Sequence, residues 1–132
     1  MKTGKMRSTS HQKTQEKDTD SFRPWGHYKK LFQENGVWVK RVEVNPGARL
    51  SLQKHAQRSE KWIIVKGQGL AVINGREIVV TKGDVVDVPL AAVHRIGNTG
   101  KDKLVFIEVA TGSYLGEDDI IRLQDDYDRV KK

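Results

Sequence analysis

Nine short apolar runs, each bounded by Gly, Asn, Pro or Asp, restrict this chain to an all-β fold. They cover 28–32, 37–44, 49–55, 62–65, 70–73, 77–81, 85–88, 93–96 and 104–109. Each is too short for an ordinary helix, and several are rich in the β-branched residues that suit a pleated, half-buried surface. Turn signals separate them at Asn35-Gly36, Asn45-Pro46-Gly47, Asn74-Gly75, Lys82-Gly83-Asp84 and Asn98-Thr99-Gly100. Asn74-Gly75 marks a two-residue hairpin, because a type I′ turn needs positive φ at both central positions. Strands at this spacing pack as a sandwich or a small barrel, and the jelly roll is one such barrel. No internal repeat is present.

A chain of 132 residues builds one core. The first twenty residues are polar and almost free of large apolar side chains, so burial cannot offset the entropy of ordering them. Residues 1–22 are therefore expected as a disordered leader and 23–132 as the folded domain. After Tyr114 the chain becomes acidic, and 117–124 reads as a short C-terminal helical segment. No apolar run approaches the roughly 20 residues that cross a bilayer, and the start lacks a signal-peptide core. A cytoplasmic protein without a membrane partner is expected. Cysteine is absent, which excludes disulfides and thiolate ligands.

The net charge of +7 is concentrated in residues 23–112, which hold fifteen basic and eight acidic side chains. Arg49, Arg58, Lys61 and Arg95 are among them. No stripe of aromatics interleaves with these charges, so an anionic small molecule is the expected partner and nucleic acid is not.

The same region holds candidate metal ligands. Gln53 and His55 lie two apart in a segment that reads as a strand, so both side chains leave one face, shared by Arg49 and Ser51, while Leu50 and Leu52 pack the other way. Glu60 follows across a short polar bend, and His94 lies on another short strand. Two imidazoles, a carboxylate and an amide oxygen would form a four-point site for one divalent metal ion. Trp25 and Trp62 read as core. Glu108, within Leu-Val-Phe-Ile-Glu-Val, is unlikely company for apolar neighbours unless it has a cation or a role.

The segment 47–67 resembles the cupin motif G-x5-H-x-H-x4-E-x6-G, with Gln53 in place of the first histidine. The segment 83–98 resembles G-x5-P-x-G-x2-H-x3-N, with Ala91 in place of the internal glycine. Arg-Pro-Trp-Gly at 23–26, Arg-Leu-Ser-Leu-Gln at 49–53, His-Arg at 94–95, Ile-Glu-Val at 107–109 and Tyr-Leu-Gly-Glu-Asp-Asp-Ile at 114–120 are similar to the type II mannose-6-phosphate isomerase family. In that family the same cupin also forms the C-terminal domain of bifunctional mannose-1-phosphate guanylyltransferases. With 132 residues there is no room for the nucleotide-binding domain, so guanylyltransfer is not expected of this chain.

The resemblance implies a jelly-roll cupin that interconverts mannose 6-phosphate and fructose 6-phosphate. It implies one divalent ion per chain on Gln53, His55, Glu60 and His94, with zinc first and manganese, cobalt, nickel or iron as alternatives. The neutral Gln53 keeps the formal charge of that shell at +1, which suits an enediolate. Glu108 is the first candidate for the general base and Lys61 the second, with Arg95 beside the ligand His94. Arg58 and Arg49 are candidates for the phosphate, and Tyr114 is family-like. Spare edge strands suggest a homodimer. A non-catalytic sugar-binding cupin is the alternative, followed by a non-haem iron oxygenase built on His55, Glu60 and His94.

Overall fold

The computed structural model describes residues 20–116 and 118–130. It contains eleven strands: β1 (Asp20–Arg23), β2 (Gly26–Glu34), β3 (Val37–Val44), β4 (Leu52–Lys54), β5 (Arg58–Lys66), β6 (Gln68–Ile73), β7 (Arg76–Thr81), β8 (Val85–Val88), β9 (His94–Asn98), β10 (Leu104–Gly112) and β11 (Ile121–Gln124). They form two antiparallel sheets, ordered β1-β2-β3-β10-β5-β8 and β11-β4-β9-β6-β7.

Strand parity builds the interior. On β3 every second residue points inward, giving buried Trp38, Lys40, Val42 and Val44. Registers with β10 and β5 stack these residues in layers across the sheet. Val44 faces Leu104, Val42 faces Phe106, Lys40 faces Glu108 and Trp38 faces Ala110. On its other side, β10 sets Phe106 against Ile64, Glu108 against Trp62 and Ala110 against Glu60. The interior is thus apolar at one end, where Val44, Ile64, Leu104, Ala71, Val80 and Ile96 close it, and polar toward the other. Asn74 and Gly75 adopt φ of 49° and 81° in the β6–β7 connection, the paired positive values expected of the hairpin.

Three expectations need correction. The helix expected over 117–124 is not found over 118–124: among the described residues there is no helix, and 121–124 form β11 against β4. The expected strand over 49–55 is reduced to Leu52–Lys54, with only a single bridge from Arg49 to Gly97 before it. Most of the expected leader lies outside the described residues, but Asp20, Ser21 and Phe22 belong to β1 and pair with Lys29, Tyr28 and His27.

Candidate metal centre

His55, Glu60 and His94 bring one ligand atom each within 4.8 Å of one another, and all three side chains are buried. Gln53 stands beside them because its Cα is the register partner of His94 across β4 and β9. The four proposed metal ligands therefore share one cavity.

Each donor is held by a neighbour that leaves one lone pair turned inward. His94 donates from Nδ1 to the Ala92 carbonyl at 2.9 Å, and His55 donates from Nδ1 to the Asp119 carbonyl. Both imidazoles thus present Nε2 as an acceptor, the tautomer a metal requires. Burial pushes His55 down to about 4, with the Arg58 charge adding to the effect, and burial also lowers His94. Both rings are neutral near pH 7. Gln53 donates from Nε2 to Ser51 Oγ at 2.9 Å and to the Ser51 carbonyl at 3.3 Å, leaving its amide oxygen as the available donor. Trp62 Nε1 donates to Glu60 Oε1 at 2.9 Å. Burial opposes ionisation of Glu60, but His94, Arg58 and His55 outweigh it and hold the carboxyl below its usual range. Two neutral imidazoles, a carboxylate and an amide oxygen fit a divalent ion of the zinc or manganese kind.

Arg58 occupies this donor set from one side. Its Nε bonds Glu60 Oε2 at 3.0 Å, its Nη2 bonds His55 Nε2 at 3.0 Å, and its guanidinium lies 4.6 Å from the centre of the Trp38 ring. These contacts use the atoms that a cation would use, so metal binding and the His55 contact exclude one another.

Behind the ligands, the half-buried Glu108 accepts a 2.8 Å bond from Trp38 Nε1. Burial and the negative charge of Glu60 push its carboxyl up to about 8, against the opposing charges of Lys40 and Arg58. Glu108 therefore has the proton affinity of a group that can give and take a proton near neutrality.

The other candidates are placed less favourably. Lys61 does not join the cavity. It is adjacent to Glu60 on β5, so parity turns it outward, where it is exposed and paired with Asp87. Arg49 is also outside, held by Asp126 at 2.8 and 2.9 Å, because the irregular backbone at 49–51 breaks the alternation that would have placed it with Gln53. That break also brings Leu50 to the cavity wall. Tyr114 is exposed and bonds Asp118. Arg95 lines the cavity wall but is committed to main chain, donating to the Leu50 and Gln124 carbonyls at 2.9 and 3.4 Å.

Several contributors lay outside the expected set. Lys40 is buried opposite Glu108, its Nζ 3.7 Å from the Trp38 ring centre and 4.1 Å from that of Tyr28. Its signal was available: in Val-Trp-Val-Lys-Arg-Val-Glu-Val it is in phase with Trp38 and Val42. Asp119 positions the ligand loop, since its carboxylate accepts from the Ala56 and Gln57 amides at 3.1 and 3.0 Å while its carbonyl orients His55. Arg23 and Arg122 also line the cavity.

The two-sheet barrel and this donor set define a cupin. Solved structures share the fold: the capsular polysaccharide assembling protein CapF of Staphylococcus aureus superposes with a TM-score of 0.71 at 22% identity, over 80% of this chain and 34% of that one. An oxalate decarboxylase of Lactobacillus farciminis, in its formate complex, gives 0.69 at 23%, over 79% and 33%.

Residues 10–125 match the family described as mannose-6-phosphate isomerase C-terminal, and the chain belongs to that family. The alginate biosynthesis protein AlgA of Pseudomonas aeruginosa is 46% identical over 109 residues, 83% of this chain and 23% of that protein. XanB, a xanthan biosynthesis protein of Xanthomonas campestris, is 43% identical over 128 residues, 96% and 26% respectively. A mannose-1-phosphate guanylyltransferase of Sinorhizobium fredii is 45% identical over 104 residues, 79% and 20%. The chain thus spans about a quarter of the length of these relatives.

Proposed function

We propose that this cupin is a metal-dependent aldose–ketose isomerase that interconverts mannose 6-phosphate and fructose 6-phosphate. The observation that carries the reading is one cavity in which Glu108, oriented by Trp38, lies with the ligands Gln53, His55, Glu60 and His94. Isomerisation moves one proton between carbons 1 and 2 of the open-chain sugar and another between the oxygens they carry. Glu108 takes the carbon-bound proton from one carbon and returns it to the other. A divalent ion on the four ligands would supply a Lewis acid for the negative charge that develops on the sugar oxygen. Lys40 offsets the Glu108 carboxylate when it is ionised, and the Trp38 indole fixes the orientation of its oxygens.

The test is fructose 6-phosphate formation from mannose 6-phosphate with zinc, manganese, cobalt or nickel added, with oxygen consumption followed in parallel. The expected result is turnover without oxygen uptake, with Glu108→Gln lowering kcat by about 10²- to 10⁴-fold at equal metal content. No product with any metal, or a Glu108→Gln variant with full turnover, would overturn the reading. Oxygen uptake with iron would favour the oxygenase alternative, which His55, Glu60 and His94 alone could serve.

A further inference from the structure

Arg58 lines the cavity and is only 7% exposed, and burying a guanidinium is costly unless its donors are met. Two of its nitrogens are engaged, Nε on Glu60 Oε2 and Nη2 on His55 Nε2, both at 3.0 Å. The third, Nη1, is buried with no hydrogen-bond partner among the described residues. The Trp38 ring, whose centre is 4.6 Å from the guanidinium carbon, offers Nη1 no oxygen or nitrogen lone pair. Folded proteins satisfy nearly all their buried donors, so an orphan on the wall of a binding cavity points to a missing ligand atom.

The contacts of Arg58 put it at the reacting end of that cavity. On one side the guanidinium holds the donor atoms of Glu60 and His55. On the other it meets Trp38, whose Nε1 holds Glu108 at 2.8 Å. Arg58 thus touches both the metal donors and the indole that orients the proton-moving carboxyl. The phosphate of the sugar is on carbon 6, the opposite end of the open chain from carbons 1 and 2. A cation on His55 Nε2 would take the atom that Nη2 now uses, and so free a second N–H beside the orphan Nη1. Two N–H groups on one guanidinium edge make the planar fork that suits a charged oxygen.

We infer that Arg58 donates from Nη1, and from Nη2 once His55 is taken, to the substrate oxygen on which negative charge develops, instead of serving as the phosphate ligand expected from sequence. The inference rests on the sugar-phosphate reading above, but binding tests it apart from turnover. Two probes are titrated calorimetrically into metal-loaded protein. One is 5-phosphoarabinonohydroxamate, whose hydroxamate carries oxygens on adjacent atoms as an enediolate does. The other is mannitol 6-phosphate, which keeps the phosphate and has no such anion.

At equal metal content, Arg58→Met should weaken hydroxamate binding by about 10- to 100-fold, the loss expected for charge-assisted bonds, and leave mannitol 6-phosphate within a few-fold. The same variant should lower kcat by about 10²- to 10³-fold with little change in KM, as removal of an oxyanion donor does. If it fails to fold, Arg58→Lys decides: the charge stays but the fork is lost, so a several-fold weakening confined to the hydroxamate is expected. Equal weakening of both probes would return Arg58 to the phosphate and overturn the inference. So would an unchanged hydroxamate affinity, or a wild type that binds the hydroxamate no better than mannitol 6-phosphate. A protein that shows the Arg58-dependent preference yet forms no fructose 6-phosphate would retain the donor and sink the isomerase.

Discussion

Ala91→Gly should stabilise the protein. Ala91 has φ of 64°, a left-handed conformation that costs an L-residue roughly 1–2 kcal/mol because Cβ crowds the following carbonyl. It is the third residue of the turn closed by the Ala92 amide on the Pro89 carbonyl at 3.0 Å. Positive φ at that position belongs to a type II turn, which selects glycine. The related motif carries glycine there. Ala91 is exposed, so removing its methyl sacrifices little packing, and its amide would still donate to the His55 carbonyl. Against the relief stands the greater freedom of glycine in the unfolded chain, about 0.4–1 kcal/mol. The net gain is about 0.5–1 kcal/mol, or about 3–6 °C in Tm for a domain near 100 residues. Urea unfolding of metal-free wild type and variant checks this at unchanged m-value. A lower midpoint for the glycine variant would refute the strain argument.

Two further outcomes follow from the buried donors. The folded-state pKa of His55 is lowered to about 4 from 6.5, so the unfolded chain binds more protons between those values; stability is present above pH 6.5 and lost as pH falls toward 4. His55 alone should remove about 3 kcal/mol over that window from metal-free protein, and urea midpoints that do not move between pH 7 and 4 would contradict it. Arg58→Met should tighten zinc binding by about tenfold or more, because it ends competition for His55 Nε2 and Glu60 Oε2 and removes a nearby positive charge. Chelator competition measures this, and weaker binding would mean that Arg58 braces the ligands.

What could be read from sequence divides along the period of the backbone. Strands such as β3 and β8 were legible to the residue because alternation and turn residues bracket them. The edge strands β1 and β11 were not. Asp20-Ser-Phe-Arg offers no apolar pattern, and Ile121-Arg-Leu-Gln follows an acidic run that reads more readily as helix; both are defined by pairing with β2 and β4. The donor set of Gln53, His55, Glu60 and His94, which the structure brings to one cavity, was legible because its spacing and parity lie within two short segments. Parity from Glu60 also excludes Lys61, whose neighbouring charge and chemistry had argued for it. Of the two arginines expected at the phosphate, Arg58 lines the cavity and Arg49 does not, because its placement depends on strand regularity that the backbone at 49–51 does not keep.

The same division separates the chemistry. Gln53, Glu60, His94 and Glu108 are on β4, β5, β9 and β10, each strand paired on both sides, and His55 directly follows β4. Arg23 and Arg122, which also line the cavity, are on β1 and β11, each paired on one side only. Proton transfer needs sub-ångström placement, which twice-paired strands supply, whereas a charged phosphate tolerates and even benefits from a softer edge that can adjust to it. Substitutions in β1 and β11 should therefore act mainly on KM for the phosphorylated sugar, and those at Glu108 mainly on kcat. A kinetic series in which Arg122→Lys lowers kcat alone would break this division of labour between the centre of the barrel and its edges.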